Sequence, residues 1–159
     1  MVLLVVDVQK GIVDERLYAF EKFVSNIRKL IETAREHGVE VCYIQHDDGP
    51  GTGFSIGDDA FEVYSEFQPM PAEKRFVKTV SSAFKKESGL LEYLTAKGEK
   101  DVMVCGIMTD FCQMNISPYF HMHYIDFELQ FPGIFPCSLS IMLVFLETPF
   151  VTHKYTPVH

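Results

Sequence analysis

The amino-acid sequence predicts a three-layer α/β/α domain, Rossmann-like, built on a central and mainly parallel sheet. Three observations carry this expectation. Met1 to Val6, Val39 to Ile44 and Asp101 to Ile107 are short, nearly unbroken apolar runs, the pattern of strands covered on both faces. Between the first two lies a stretch whose apolar residues recur at helical spacing, so the opening of the chain reads strand, helix, strand with a right-handed crossover. The 159 residues are also 47% hydrophobic and 13% aromatic, enough to bury one ordinary core without disulfide support.

Taken in order, the first strand ends where Asp7 interrupts the apolar run. The helix spans Phe20 to His37, with Phe23, Val24, Ile27, Leu30, Ile31 and Ala34 on one face and Gly38 as its C-terminal cap. After the second strand, Gln45 to Glu73 holds Gly49, Pro50, Gly51, Gly53, Gly57, Pro69 and Pro71, a density of breakers that marks a long irregular loop. Arg75 to Thr79 reads as a short strand, and Ser88 as the cap of a helix that carries Leu90, Leu91 and Leu94 and ends at Gly98. Past the strand at Asp101 to Ile107, Thr109 or Asp110 caps a helix that begins near Cys112. From about Asn115 the alternation stops, and prolines, aromatics and histidines crowd together without an assignable pattern. Ile134 to Leu146 is apolar but spans only 13 residues and is broken by Pro136, short of the roughly 20 that cross a bilayer. It reads as core or interface. With no repeat, low-complexity tract or Gly/Ser linker, residues 1–159 are expected to form a single domain with an atypical tail at 116–159.

Charge and cysteine usage exclude several functions. Twenty-two acidic against 14 basic residues give a net charge of −8, which disfavours a nucleic acid or an anionic membrane as partner. The four cysteines, Cys42, Cys105, Cys112 and Cys137, form no C-x-x-C pair and no zinc-like spacing, and Cys42 and Cys105 sit in apolar runs where free thiols bury. A reducing, cytoplasmic setting is expected, and the absence of a basic segment before the first apolar run argues against a signal peptide.

In open α/β sheets ligands bind beyond the carboxyl ends of the strands. Asp7, Lys78 and Cys112 all fall at or just after such ends. Singly, an aspartate there is ordinarily a cap, a lysine a solvated side chain and a cysteine a buried thiol. Together they form a chemical set. A cysteine in the first turn of a helix feels the positive end of the helix dipole, and a neighbouring lysine adds full charge; both favour thiolate. A buried aspartate beside it can take the thiol proton and later deliver it to a leaving amine. Backbone N–H groups at the start of the same helix supply an oxyanion site.

Three ordered blocks, L-L-V-V-D-V-Q-K-G (Leu3 to Gly11), F-V-K-T-V-S-S-A-F (Phe76 to Phe84) and C-G-I-M-T-D-F-C (Cys105 to Cys112), closely resemble the motif regions of isochorismatase-like cysteine hydrolases. The resemblance covers roughly residues 1–115. It implies Asp7, Lys78 and Cys112 as the catalytic triad, a cis Ile107–Met108 peptide, and an oxyanion hole made by the N–H groups of Met108 and Cys112. It further implies a small-molecule amide or ureido substrate cut at a C–N bond, since members that keep the cysteine are mostly amidases, and a homo-oligomer. Gln9, Ile12 and His46 fall where family members line the substrate pocket.

No cofactor is expected. The Asp-x-His-x-x-His zinc pattern of related nicotinamidases is absent from Q-H-D-D-G-P-G, which offers His46, Asp47 and Asp48 but no second histidine before His121, so no metal is expected either. His121 and His123 alternate in H-M-H without further placed ligands. Past Ile116 the tail departs from the family, and Pro118 cuts the helix after Cys112 short. A member of this kind with an altered C-terminus is expected to risk a missing sheet edge and exposed apolar surface. Two other readings follow: an impaired member that acts as an oligomerisation subunit, and a receiver-like phosphoacceptor domain, disfavoured because Asp7 lacks the neighbouring acid that a Mg2+ site needs.

Overall fold

The computed structural model describes residues 1–17, 19–99 and 101–107, together with the backbone of two further strands at 120–125 and 141–146. The elements are β1 (Val2–Val6), α1 (Phe20–Glu36), β2 (Glu40–His46), β3 (Lys74–Lys78), α2 (Leu90–Ala96), β4 (Asp101–Gly106), β5 (Phe120–Ile125) and β6 (Ile141–Leu146). They form one sheet in the order β3-β2-β1-β4-β6-β5. The first four of these strands run parallel, while β6 pairs antiparallel with β4 and β5 antiparallel with β6.

The apolar runs of β1, β2 and β4 are continuous because these strands bury both of their faces. Leu3 and Val5 of β1 join Val41, Tyr43 and Cys105 against Phe23, Ile27, Ile31 and Ala34 of α1. Their alternates Val2, Leu4 and Val6 join Cys42, Ile44, Val102 and Val104 against Leu90 and Leu94 of α2. Each such side chain contributes roughly 1.5–3 kcal/mol when fully buried, so the middle of the sheet anchors the fold. α1 carries Glu21 in its first turn and Arg35 in its last, both favourable to the helix dipole. Arg35 also makes a two-point contact with Glu73, Nε to Oε1 at 2.8 Å and Nη2 to Oε2 at 2.9 Å, which pins the start of β3 to the helix.

Several boundaries differ from expectation for physical reasons. β2 continues through Gln45 and His46 because the buried amide of Gln45 donates to the Phe61 carbonyl at 2.9 Å. His46 is therefore the last residue of a strand and not part of the loop. The breaker-rich stretch that follows is ordered: it contains 3₁₀ turns at Asp59–Phe61 and Ser65–Phe67, and Val63 and Phe67 pack into the α1 layer. The Phe67 ring meets Phe23 edge-on, with centroids 6.2 Å apart. At α2 the N-cap is Gly89, in the left-handed region, and the expected cap Ser88 accepts the Leu90 N–H one position earlier, at 3.2 Å. The tail, left unassigned from sequence, contributes β5 and β6, and β6 pairs along β4, so β4 is not an edge strand. The helix expected near Cys112 lies outside the described residues.

Gly106 closes β4 at φ +130°, where a Cβ would stand 2.0 Å from the carbonyl oxygen of Val6. Backbone cannot yield as a flexible side chain does. Gly106→Ala is expected to lower the unfolding free energy by at least ~2 kcal/mol, from left-handed strain and overpacking together. Gly38→Ala, which meets no atom within 4 Å, should cost only the conformational part. Urea unfolding of the two variants side by side checks the difference.

Candidate active site

The parallel register brings the carboxyl ends of β1 to β4 to one edge of the sheet. Val6 lies opposite Ile44 and Gly106, and His46 opposite Lys78. At this edge β1 stops abruptly. Asp7 turns into the left-handed region at φ 55°, a conformation that aspartate tolerates better than most residues, while its N–H still reaches the Ile44 carbonyl at 2.9 Å. On the other side of β1, the Ile107 N–H donates to the Val6 carbonyl at 3.0 Å. The turn aims the Asp7 carboxylate across the ends of β1 and β2 toward β3. There Lys78 Nζ meets Asp7 Oδ2 at 2.9 Å, with side-chain exposures of 3% for the lysine and 9% for the aspartate.

Two opposing effects act on Asp7. Burial raises its pKa and is the larger; the charge of Lys78, its hydrogen bond, and the more distant His46 lower it, leaving the carboxyl above its ordinary value. A carboxyl held this way can accept a proton and return it in the same cycle.

His46 is cross-strand neighbour to Lys78, and its Nε2 lies 2.9 Å from Asp48 Oδ1. Gln9 is fully buried beside the turn. Its Nε2 donates to the carbonyls of His46 at 2.9 Å and Phe61 at 3.0 Å, and its Oε1 accepts the His46 N–H at 2.8 Å. Ile12, half-buried, follows in the turn whose N–H bonds the Gln9 carbonyl at 2.9 Å. The structure thus assembles Asp7 and Lys78, with His46 and Gln9 next to them. Cys112 and Met108, and with them the Ile107–Met108 peptide, lie outside the described residues, as does Cys137. Cys42 and Cys105 are fully buried, and burial pushes both thiols up to about 12, which leaves them unreactive.

Sequence reasoning missed Gln45, whose amide shares the Phe61 carbonyl with Gln9. The available signal was a glutamine continuing an apolar strand, Q45 after Val41 to Ile44. Among the described residues, no three His, Cys, Asp or Glu side chains gather as metal ligands, and no helix is long and apolar enough to cross a membrane. His121 and His123 fall on β5, of which only the backbone is described.

Comparison with known proteins gives this geometry its context. The isochorismatase domain matches residues 1–116, a span that includes Asp7, Lys78 and Cys112. An uncharacterized isochorismatase family protein of Bacillus subtilis (strain 168) is 34% identical over 113 residues, 69% of this chain and 60% of its own length. Streptothricin hydrolase of Streptomyces noursei is 31% identical over 112 residues, 69% of this chain and 40% of the hydrolase. The crystal structure of N-carbamoylsarcosine amidase from Thermoplasma acidophilum superposes with a TM-score of 0.60 at 32% identity, covering 70% of this chain and 69% of the amidase. The chain therefore spans 60% and 40% of the lengths of the two curated relatives it matches here.

The ion pair makes a prediction of its own. Lys78→Met leaves a carboxylate buried without its cation, and is expected to cost about 3–5 kcal/mol of stability at neutral pH. Asp7→Asn combined with Lys78→Met should recover most of that loss. The sign with pH follows from the raised pKa: the folded state holds the Asp7 proton more tightly than the unfolded state, so this group favours folding at low pH. Its contribution is lost as pH rises from the unfolded value through the folded one. Lys78→Met removes an influence that lowers the Asp7 pKa, so the loss should extend to higher pH. Urea unfolding of the wild type and these two variants across roughly pH 4 to 8 reads both effects.

Proposed function

Because the chain belongs to the isochorismatase family, we propose that it is a metal-free cysteine hydrolase that cleaves a C–N bond of a small amide or ureido compound. The observation that carries this reading is the buried Asp7–Lys78 pair at the carboxyl edge of the sheet, 2.9 Å from carboxylate to ammonium. Support comes also from two matched proteins whose names describe them as a streptothricin hydrolase and an N-carbamoylsarcosine amidase, and from Cys112 standing within the matched span.

In the proposed reaction the Cys112 thiol gives its proton to the Asp7 carboxylate, and the thiolate sulfur forms a bond to the substrate carbonyl carbon. The N–H groups of Met108 and Cys112 receive the oxyanion. The C–N bond then breaks, and the amine leaves with the proton carried by Asp7. Water attacks the resulting thioester, the acid is released and the thiol is restored. Lys78 balances the charge of the aspartate and orients it. Ile12 and His46 contribute to the substrate pocket, together with the loop that follows β2.

A second reading has one observation in its favour. The family match stops at residue 116 of 159. On that reading the chain is an impaired member that serves as an interaction subunit.

Ammonia or amine release from a panel of small amides and ureido compounds separates the two. Cys112→Ala is expected to reduce kcat more than ~10³-fold while the protein stays folded. Limiting iodoacetamide at neutral pH should label Cys112 ahead of Cys42 and Cys105, followed by peptide mass spectrometry. Undiminished hydrolysis by Cys112→Ala sinks the nucleophile assignment; a folded wild type that neither turns over the panel nor labels at Cys112 favours the subunit reading.

A further inference from the structure

In a strand, the N–H and carbonyl of one residue point to the same side, and successive residues alternate. In β2 the Ile44 carbonyl faces β1 and receives the Asp7 N–H, while the Asp47 N–H faces β3 and donates to the Lys78 carbonyl at 2.9 Å. By this alternation the N–H and carbonyl of His46 face the β1 side. There β1 has already left the sheet at the left-handed turn of Asp7. From Val8 onward the chain pairs instead with the loop: Tyr64 N–H to the Val8 carbonyl, Lys10 N–H to Glu62 and Gly11 N–H to Ala60, all between 2.8 and 2.9 Å. The crevice that holds the Asp7 carboxylate would therefore leave two strand groups of His46 orphaned, at about 1–3 kcal/mol each when buried.

The Gln9 side chain fills that gap. Its amide accepts the His46 N–H at 2.8 Å and donates to the His46 carbonyl at 2.9 Å, the two bonds that a continuing β1 would have made through two of its peptides. The same nitrogen reaches the Phe61 carbonyl at 3.0 Å, which links the strand end to the loop. We propose that Gln9 is a positioning residue: its amide stands in for the missing rung of β1 and holds the end of β2, and through it the Lys78 backbone of β3, at the spacing that the Asp7–Lys78 pair requires. This rests on the reading of Asp7 and Lys78 as catalytic partners. It also moves Gln9 from substrate contact to framework, since its amide oxygen and nitrogen are engaged within the protein.

Gln9→Met keeps the length and removes the amide. Expected are a loss of His46 N–H protection of more than tenfold relative to neighbouring β2 residues, a shifted Asp7 carboxyl titration, and a fall of tenfold or more in kcat with little change in KM. Gln9→Glu guards against a failure to fold. Its neutral carboxyl can donate to one carbonyl and accept the His46 N–H, whereas the ionised form faces two carbonyl oxygens. His46 protection in Gln9→Glu should therefore match the wild type at low pH and be lost as pH rises. The titratable groups around that position are Asp7 and Lys10 on its own segment, His46 on β2, Lys78 on β3, and Asp59 and Glu62 on the loop. Nuclear magnetic resonance reads the protection and the Asp7 titration without any substrate, so an inert wild type would overturn the hydrolase reading and leave this test intact. Unchanged His46 protection and Asp7 titration in Gln9→Met would overturn the proposal. So would a lower melting temperature with unaltered kcat per folded molecule.

Discussion

Burying a carboxylate and an ammonium together is the constraint on which the carboxyl edge of this sheet depends. Asp7 and Lys78 are each less than a tenth exposed, and removing each from water costs several kcal/mol that only well-held geometry offsets. An apolar pair of the same volume is ordinarily at least as stable. The pair therefore does little to explain why the chain folds and much to explain how its edge is built. Asp7 follows β1 and Lys78 ends β3, strands that do not touch but sit on either side of β2. Their separation is fixed by β2, and whatever fixes the end of β2 fixes the pair.

Three groups hold that end. On one side the Asp47 N–H bonds the Lys78 carbonyl; on the other, Asp7 and then the Gln9 amide take the groups that face β1. Behind them, Arg35 clamps Glu73 just before β3, so the edge strand is fixed to α1 as well as to its neighbour. The loop between β2 and β3 is tied by the same device. Phe61 gives its carbonyl to two buried glutamine amides, and Val63 and Phe67 sink into the α1 layer. Closer to the site, the Asp47 carboxylate accepts the Gly49 N–H at 2.7 Å, and the Ser55 hydrogen bond holds it below its ordinary pKa. A segment rich in breakers is thus organised by a few buried polar bonds, with Ile56 left largely exposed at its tip.

The sheet was legible in sequence because strands covered on both faces announce themselves as apolar runs, and the order of strand and helix leaves few topologies. Asp7 was legible for a related reason, as the charged residue at which such a run stops, and Lys78 as the last residue before Thr79 of a short strand. What escaped were bonds between residues far apart in the chain. Gln45 and His46 read as loop because they are polar, yet a carbonyl 16 residues away satisfies the Gln45 amide and keeps β2 going. Gln9 was expected in the pocket from the family resemblance, and sequence gives no sign of which backbone groups its amide will meet. Ser88 was chosen as a cap by residue type, whereas it belongs to a 3₁₀ turn at Lys86–Ser88 that Gly89 ends in the left-handed region just before the helix. In the tail, aromatic and proline-rich sequence hides the period that would have marked β5 and β6.

The opposing influences on Asp7 are what suit it to the proposed chemistry. A carboxylate beside an ammonium in open solvent would be too weak a base to take a proton from a thiol. One buried alone would stay protonated and take none. Here burial is the larger effect and Lys78 the counterweight, so the carboxylate is more basic than an exposed one. That balance needs Lys78 close enough to stabilise the charge and surroundings dry enough to keep the charge costly. Both conditions depend on the end of β2, which lies between the two residues in the sheet. Proton affinity at Asp7 and the fit of the Gln9 amide to His46 are in this sense one property of the fold, set where β1 leaves the sheet.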